Sequence, residues 1–482
     1  MLLSKLTKLL LNGPDVEIAG ITEDSRKVKP GFLFIATPGL KQDGRAFIND
    51  AIQKGAVAVL MPEGSDNQIK ITTVKTPNIR KETSKFAAAF YPRQPETIVA
   101  VTGTSGKTST AQFAREIWQA LGHASASIGT LGLVTAKGTS YGSLTTPDAI
   151  TLHHVLDDCA EQGIAHAVVE ASSHGIEFDR LDCVKWKAGG FTNLSRDHLD
   201  YHKTMEAYFE AKKGLFSRLL PKGAAAVLNA DVPQFDALAD IARMRGLKMI
   251  SYGKKGKDLR LIEAKPDSRG QILNLVVFGK KMEILLPVIG DFQAWNALCA
   301  AGLVIGSGNE ISAAVEALSK VSGVPGRLQF IGISKKGGEV FVDYAHKPDA
   351  LENVLRAMRP RAEVHGSEVG VVFGCGGNRD KGKRPIMGEI ARKAADWVIV
   401  TDDNPRNEDP SAIRAEILAG CKDKANVHEA KNRASAIREG IEKLNAHDVL
   451  IIAGKGHEPG QIVGDKVLPF DDAEEAKKVL EL

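Results

Sequence analysis

Cysteine is scarce in this chain. Cys159, Cys183, Cys299, Cys375 and Cys421 are scattered over 482 residues, and no two make a C-x-x-C pair. That excludes a zinc ribbon and a disulfide framework, and it suits a reducing cytosol. Long apolar runs are missing too. No stretch approaches the ~18 residues of a membrane-crossing helix, so no membrane span is expected. The first ten residues, Met1 to Leu10, are amphipathic and lack the apolar stretch and cleavage site of a secretion signal. These absences together predict a cytoplasmic protein. A one-sided charge is absent as well: the formal net charge is +4, which gives no electrostatic case for a nucleic-acid binder. Internal repeats and low-complexity tracts are lacking. What remains, 43% hydrophobic and 25% charged residues, is the make-up of a soluble globular protein. The length predicts about three domains.

The pattern along the chain is α/β. In the first 95 residues Phe32–Ala36 reads as a strand, Gly44–Lys54 as a helix and Ala56–Leu60 as a strand. Tyr91-Pro-Arg-Gln-Pro95 reads as a linker, because two prolines interrupt structure there. A larger unit over residues 96–324 contains strands at Ile98–Val101, His166–Glu170, Ala188–Thr192 and Ala224–Leu228. A β-rich stretch, Lys248–Ile289, and an apolar-periodic helix, Asp291–Ile305, complete it. Val324-Pro-Gly-Arg327 reads as a second linker. Residues 325–482 alternate again, with strands at Val340–Asp343, Val369–Phe373, Trp397–Thr401 and Val449–Ala453. Such alternation predicts largely parallel sheets with sites at the carboxyl ends of strands.

Chemistry-bearing residues lie at those ends. Val99-Ala-Val-Thr-Gly-Thr-Ser-Gly-Lys-Thr-Ser-Thr110 joins a buried strand to a helix through a small-residue turn. Converging N–H groups, a helix N-terminus and glycines that admit a phosphate make this an anion site. Lys107 can reach the β- and γ-phosphates, and the Thr108 hydroxyl can bind Mg2+. The common eight-residue pattern needs glycine at 101, where Val101 stands; the shorter G-x-x-G-K-T form starts at Gly103. Glu170 closes the strand His166–Glu170, the place for an Mg2+-binding acid, and Ala171-Ser-Ser-His174 follows. Phe191-Thr-Asn-Leu-Ser-Arg-Asp-His-Leu-Asp-Tyr-His202 carries His198 and His202 at helical i, i+4 spacing. Soft ligands for zinc are too few, so one histidine, His198, is the candidate for a magnesium site. In the last third, Asp343-Tyr-Ala-His346, Gly374-Cys-Gly-Gly-Asn-Arg-Asp-Lys-Gly-Lys-Arg-Pro385, Asp402-Asp-Asn-Pro-Arg406 and Gly454-Lys-Gly-His-Glu458 each follow a strand. Their convergence would make one composite pocket, with Cys375 a small packing residue.

These motifs, over nearly the full length, resemble the Mur ligases, the ATP-dependent amide-forming enzymes of peptidoglycan synthesis. Asp24-Ser-Arg-Lys-Val28, Pro30-Gly-Phe-Leu-Phe-Ile-Ala36 and Gln42-Asp-Gly-Arg-Ala-Phe-Ile48 resemble the family's N-terminal domain. The short phosphate loop, Thr145-Thr-Pro147, Glu170–His174, Asn193–His202 and Pro325-Gly-Arg327 resemble its central domain. Asp343–Leu351, Gly374–Asp380 and Asp403-Asn-Pro-Arg406 resemble the diaminopimelate-adding branch. Departures are Lys347, where Thr is common, and Asn378, where Asp is common.

The resemblance implies three α/β domains: a UDP-substrate domain (1–95), a central P-loop ATPase-like domain (96–324) and a Rossmann-like amino-acid domain (325–482). It implies ATP on Gly103, Thr104, Ser105, Gly106, Lys107, Thr108, Ser109, Asn296, Arg327 and Asp343. It places two Mg2+ ions on Thr108, Glu170, His198 and a carbamylated Lys212, with Lys213 the alternative for that modification. Lys107, Lys212 and His198 are the implied catalytic groups. The UDP-muramoyl dipeptide is implied to lie on Ser25, Thr145, Thr146, Ser173 and Arg180. Meso-diaminopimelate is implied to lie on Arg379, Asp403, Asn404, Pro405, Arg406, Gly454 and Glu458. Small-molecule substrates alone, and a monomer, are expected. Competing readings are the same ligation with L-lysine, a folylpolyglutamate-type acceptor, and a non-catalytic ATP-binding scaffold. The UDP-type first domain and Asp403–Arg406 argue against folate, and the full set of phosphate and metal residues argues against the scaffold.

Overall fold

A computed structural model of the chain describes residues 1–39, 42–65, 69–140, 142, 144–267, 269–421 and 425–481. Among the described residues the strands form three α/β sheets in succession, and a two-stranded hairpin. In the first sheet Gly20–Thr22, Phe32–Ile35, Ala56–Pro62 and Thr72–Thr76 run parallel, and Leu11–Asn12 adds antiparallel to Thr72–Thr76. The expected helix over 44–54 is two pieces. A 3-10 turn, Gly44–Phe47, precedes the α-helix Ile48–Gln53. The Asp43 carboxylate accepts from the Arg45 N–H at 3.0 Å and tightens that first turn.

The second sheet has eleven strands. Its parallel centre runs Lys248–Gly253, Ala225–Asn229, Trp186–Phe191, Thr97–Thr102, His166–Glu170 and Ser125–Gly129. One edge continues through Leu259–Asp267 into antiparallel strands Gly270–Val277 and Lys280–Leu286, the β-rich stretch of the sequence. The helices Lys107–Ala120 and Asp291–Gly306 cover one face. They bury Phe113, Ile117, Trp118, Leu298 and Leu303 against Val99, Val101 and Val227. Asp291–Gly306 is apolar nearly all round because it lies between the sheet and its neighbour helix.

The third sheet places Gln329–Ile333 antiparallel on Glu339–Asp343, followed in parallel by Val449–Ala453, Val369–Phe373, Trp397–Val400 and Val427–Glu429. Adjacent strands that are distant in sequence, such as Glu339–Asp343 beside Val449–Ala453, leave their carboxyl ends side by side. There the loops starting at Asp343, Gly374, Thr401 and Gly454 meet. Cys375 is buried in this region with its sulfur 3.7 Å from Met387 Sδ, a packing residue as the sequence suggests. Among the described residues no helix is long and apolar enough to cross a membrane.

Candidate functional site

The phosphate loop spans the step from the central strand Thr97–Thr102 to the helix Lys107–Ala120. Its glycines are required by close approach. Gly103 has φ 148°, and a Cβ there would come within 1.9 Å of Thr192 Oγ1. Gly106 has φ 85°, and its Cβ would meet Asn296 Oδ1 at 2.2 Å. Asn296, expected at the nucleotide, therefore lies against the loop. Ser105 N donates to Asn193 Oδ1 at 2.9 Å, and Thr192 Oγ1 donates to Ser105 O at 2.6 Å. The loop is thus held from the neighbouring strand end, a role the sequence reading did not give to Thr192 or Asn193. Thr104 Oγ1 and Ser195 exchange hydrogen bonds at 3.0 and 3.2 Å. Ser109 is buried in the first helical turn.

Lys107 curls back so that Nζ donates to the carbonyls of Gly103 (2.8 Å) and Thr104 (3.0 Å). Burial, and then the Lys347 charge, pull its pKa down to about 8. Glu170 is buried. It accepts from Thr108 Oγ1 at 3.1 Å, from Thr130 N at 2.8 Å and from Thr130 Oγ1 at 3.2 Å. Gly129 leaves room for that carboxylate, since a Cβ would be 2.1 Å from Oε1. Thr130 is a partner the sequence did not single out.

His198 and His202 part company. His198 sits at φ 53° immediately before the short helix Leu199–His202, which takes it off that helix's face. It lines the cavity, with Nε2 3.2 Å from Asp197 Oδ2, and burial pushes its pKa down to about 4. The ring is therefore neutral at pH 7, the form that can ligate a cation. His202 turns inward, with Nε2 2.9 Å from Ser173 Oγ and Nδ1 3.4 Å from Glu177 Oε2. Lys212 is almost fully buried, with Nζ donating to Gly103 O at 2.9 Å and lying 4.3 Å from the Tyr208 ring centre. Burial, then Lys107 and Lys347, lower its pKa well below the usual lysine value. Lys213 instead pairs with Glu210 at 2.6 Å on the outside of the helix. Among the described residues no three His, Cys, Asp or Glu side chains form a metal cage of their own.

The third sheet's loops close over this loop. Arg327 Nη2 donates to Thr108 Oγ1 at 3.3 Å, and its guanidinium lies 4.4 Å from the Tyr344 ring centre. Asp343 Oδ2 accepts from Leu328 N at 2.6 Å, and burial raises its pKa to about 6. Between the two units lies a cavity of about 780 Å³. It is lined by Thr104–Ser109, Glu170, Asp197, His198, Asn296, Arg327 and Asp343–Lys347, among others.

Beside it, Tyr344 OH donates to Glu458 Oε1 at 3.3 Å. Glu458 Oε2 also accepts from Asn404 Nδ2 at 2.8 Å and from Lys455 Nζ at 3.1 Å. Lys455 is fully buried and bonds Asn404 Oδ1 and Gly460 O as well. The sequence offered it only as one charge in the Gly454–Glu458 turn. Gly454 has φ 118°, and a Cβ there would be 2.8 Å from Asp403 Oδ2. Arg406, at φ 53°, is pinned by backbone bonds to Ile462 O (3.0 Å) and from Gly464 N (2.8 Å). The hairpin thus fixes the turn that follows Pro405. Arg406 Nη1 donates to Gly377 O at 2.9 Å. Arg379 is exposed near it, close enough for its charge to lower the Arg406 pKa after burial has done so.

Of the residues expected at the UDP-substrate, Thr145, Thr146, Ser173 and Arg180 gather around the end of the strand His166–Glu170. Thr146 Oγ1 donates to Glu170 O at 2.6 Å, Arg180 Nη1 donates to Thr146 O at 3.0 Å, and Thr145 Oγ1 lies 3.1 Å from Thr130 Oγ1. Ser25 is buried in the first unit, its side chain bonded to Asp50, and among the described residues it makes no hydrogen bond to this group.

Fold and site together define a nucleotide-using enzyme with a phosphate loop in its middle unit and, in its last, a cluster of charged and amide side chains, Arg406, Asn404, Lys455 and Glu458. Family models for the Mur ligase family catalytic domain, the Mur ligase middle domain and the Mur ligase glutamate ligase domain match residues 17–95, 101–304 and 326–456. The chain belongs to the Mur ligase family, and it is an ATP-dependent amide ligase of that family. It is 51% identical over 463 residues to the UDP-N-acetylmuramoyl-L-alanyl-D-glutamate–2,6-diaminopimelate ligase of Bradyrhizobium diazoefficiens, covering 95% of this chain and 94% of that one. A solved structure of a ligase of the same name is 34% identical, with TM-score 0.69, over 96% of this chain and 95% of the other. The folylpolyglutamate synthase of Mycobacterium tuberculosis shares the fold, at 20% identity and TM-score 0.61, over 78% of this chain and 92% of that one.

Proposed function

We propose that the chain joins meso-2,6-diaminopimelate to the D-glutamyl residue of UDP-N-acetylmuramoyl-L-alanyl-D-glutamate at the expense of ATP, in peptidoglycan synthesis. The observation that carries this reading is the Arg406, Asn404 and Glu458 cluster one tyrosine away from the phosphate cavity. A cation and a carboxylate there suit an amino acid that bears both charges at its far end. The name of the Bradyrhizobium relative, aligned over nearly its whole length, supports the same substrates. Domain bounds of 1–95, 96–324 and 325–482, a cytoplasmic setting and a monomer go with it.

In this reading the substrate carboxylate attacks the γ-phosphate. The acyl phosphate so formed supplies the leaving group that a carboxylate lacks. The amine of diaminopimelate then displaces phosphate through a tetrahedral intermediate. Lys107 leaves its loop carbonyls for the β/γ-phosphates and stabilises the charge that builds during transfer. Arg327 and Asn296 hold the nucleotide against the loop, and Asp343 orders the linker backbone at Leu328. The docked third unit shields the acyl phosphate from water. Thr108 and Glu170 offer hard oxygens 3.1 Å apart, a donor set that fits Mg2+. His198 and a carbamate on Lys212 would hold a second ion, and bound magnesium would supply the neutralising charge that lets two anions approach. The burial of Lys212, against the outward ion pair of Lys213, supports residue 212 as the carbamylated one.

The test is phosphate release with ATP, Mg2+ and the UDP-muramoyl dipeptide, adding each candidate amino acid in turn. Turnover with meso-diaminopimelate and little with L-lysine is expected. Equal turnover with L-lysine defeats the specificity, and no turnover with any amino acid defeats the ligase assignment for these substrates.

A further inference from the structure

Lys347 belongs to the third unit and lines the cavity between that unit and the second. Its Nζ is 2.6 Å from Asp197 Oδ2, and its side chain is only 12% exposed. Asp197 precedes His198 and shares its carboxylate with that ring at 3.2 Å. Two contacts beside this one stitch the same two units together: the Ser195 hydroxyl donates to the Asp349 carboxylate, and Arg196 Nε lies 3.7 Å from Asp380 Oδ2. Docking therefore has anchors apart from Lys347. Lys347 differs from them in lining the cavity together with Lys107 and Arg327. An ammonium has three N–H donors, and Asp197 uses one direction. Lys107, meanwhile, donates to the neutral loop carbonyls of Gly103 and Thr104. Lys107 and Lys347, one from each unit, repel each other; Asp197 and Glu170 offset part of that repulsion, and a bound anion would offset more of it.

We infer that Lys347 is a substrate-contacting cation of the transfer site: held on Asp197, it offers its remaining N–H groups to an anionic oxygen at the point where the phosphoryl group changes hands. That oxygen belongs either to the terminal phosphate of the nucleotide or to the acceptor carboxylate, since both meet there. The charge is delivered only when the third unit is docked, so an anion bound at that point favours the docked arrangement. The inference rests on the ligase reading and adds to it a residue that the phosphate-loop motif does not include.

The test uses the full chain with Mg2+ and calorimetric binding of ADP, of the non-hydrolysable β,γ-imido triphosphate, and of the UDP-muramoyl dipeptide. Lys347→Thr removes the charge while placing there a residue common at this position in the family, and Lys347→Met replaces it should the first variant fail to fold. Lys347→Arg keeps the charge. In the uncharged variant, affinity for the triphosphate or the dipeptide should fall about tenfold, with ADP within twofold of wild type. Lys347→Arg should recover much of the loss. A loss confined to the triphosphate assigns the contact to the terminal phosphate, and one confined to the dipeptide assigns it to the carboxylate. Unchanged affinities for all three, or an equal loss for ADP and triphosphate, would overturn the inference; the latter marks a lost docking contact. Failure of the wild type to bind ADP strikes the ligase reading instead.

Discussion

Lys212 Nζ donates to the carbonyl of Gly103 at 2.9 Å, tying a buried lysine from the helix Met205–Gly214 to the first glycine of the phosphate loop. An amine reacts with CO2 only when neutral, and burial together with Lys107 and Lys347 favours the neutral form here. A carbamate would turn this position from a hydrogen-bond donor into a pair of hard oxygen acceptors. Lys212→Ala is expected to be nearly inactive and to regain part of its activity with small carboxylates in the assay. Lys213→Ala should retain most activity. Mass spectrometry or crystallographic density showing the carbamate on Lys213, with a bare amine at Lys212, would refute the assignment.

Asp343 gives a pH dependence with a definite sign. Burial raises its pKa from 3.8 to about 6, so the folded state favours the protonated form. The resulting stabilisation is fully present below pH 3.8 and is lost as pH rises through about 6. The rise from 3.8 to about 6 corresponds to about 3 kcal/mol over the whole range, roughly half of it between pH 5 and 8. The stability of Asp343→Asn relative to wild type should therefore improve as pH rises from 5 to 8, measured by denaturant unfolding without nucleotide. A difference that stays constant with pH shows that Asp343 does not titrate as described.

The strands were legible because their apolar runs are unbroken. Ile98–Val101, His166–Glu170 and Val449–Ala453 lie within a residue of the observed bounds. The phosphate loop was legible because glycine spacing reports backbone geometry directly. The relation of His198 to His202 was not. Their i, i+4 spacing suggests one helix face, but a left-handed φ at His198 breaks the helix before it, and local spacing carries no sign of that. Lys347 and Lys455 show a second limit. Both read as charged loop residues, and only the closing of two units over one cavity, or of a hairpin over a turn, buries them. Thr130 escaped notice because its partner Glu170 lies 40 residues away, across adjacent strands.

Arg433 and Asp472 form an ion pair in which neither side chain is exposed. Arg433 Nε and Nη2 donate to the two carboxylate oxygens at 2.7 Å each, and Nη2 also reaches Ala453 O at 3.0 Å. The pair binds the last helix, Asp472–Glu481, to the strand end that leads into Gly454. Removing one partner strands a buried charge. Arg433→Met should cost about 3–5 kcal/mol, and adding Asp472→Leu should recover most of it. Urea unfolding of the three proteins checks this. A single-variant cost below about 1 kcal/mol, the size of an exposed pair, contradicts it.

In the proposed function Arg406 carries the choice of amino acid. Meso-diaminopimelate differs from L-lysine chiefly in a second, distal carboxylate, and a planar guanidinium can meet a carboxylate with two parallel hydrogen bonds. The backbone of Arg406 is fixed on both sides by Ile462 and Gly464, and Nη1 is steadied by Gly377 O at 2.9 Å. Gly376 keeps the approach open, because a Cβ there would be 2.8 Å from Nη1. In the same reading Arg379 adds a second cation, and Glu458, across the turn, would accept from the distal ammonium group. Such an arrangement would reject a ligand that lacks the matching charge by a factor of roughly 10⁴. Arg406→Ala should raise the KM for diaminopimelate strongly, shrink the ratio of kcat/KM between diaminopimelate and lysine, and leave ATP binding little changed. Gly376→Ala should act in the same direction through the displaced guanidinium. A wild-type preference for L-lysine, or a ratio that Arg406→Ala does not alter, means that Arg406 does not read the second carboxylate, even though the ligase would remain a ligase.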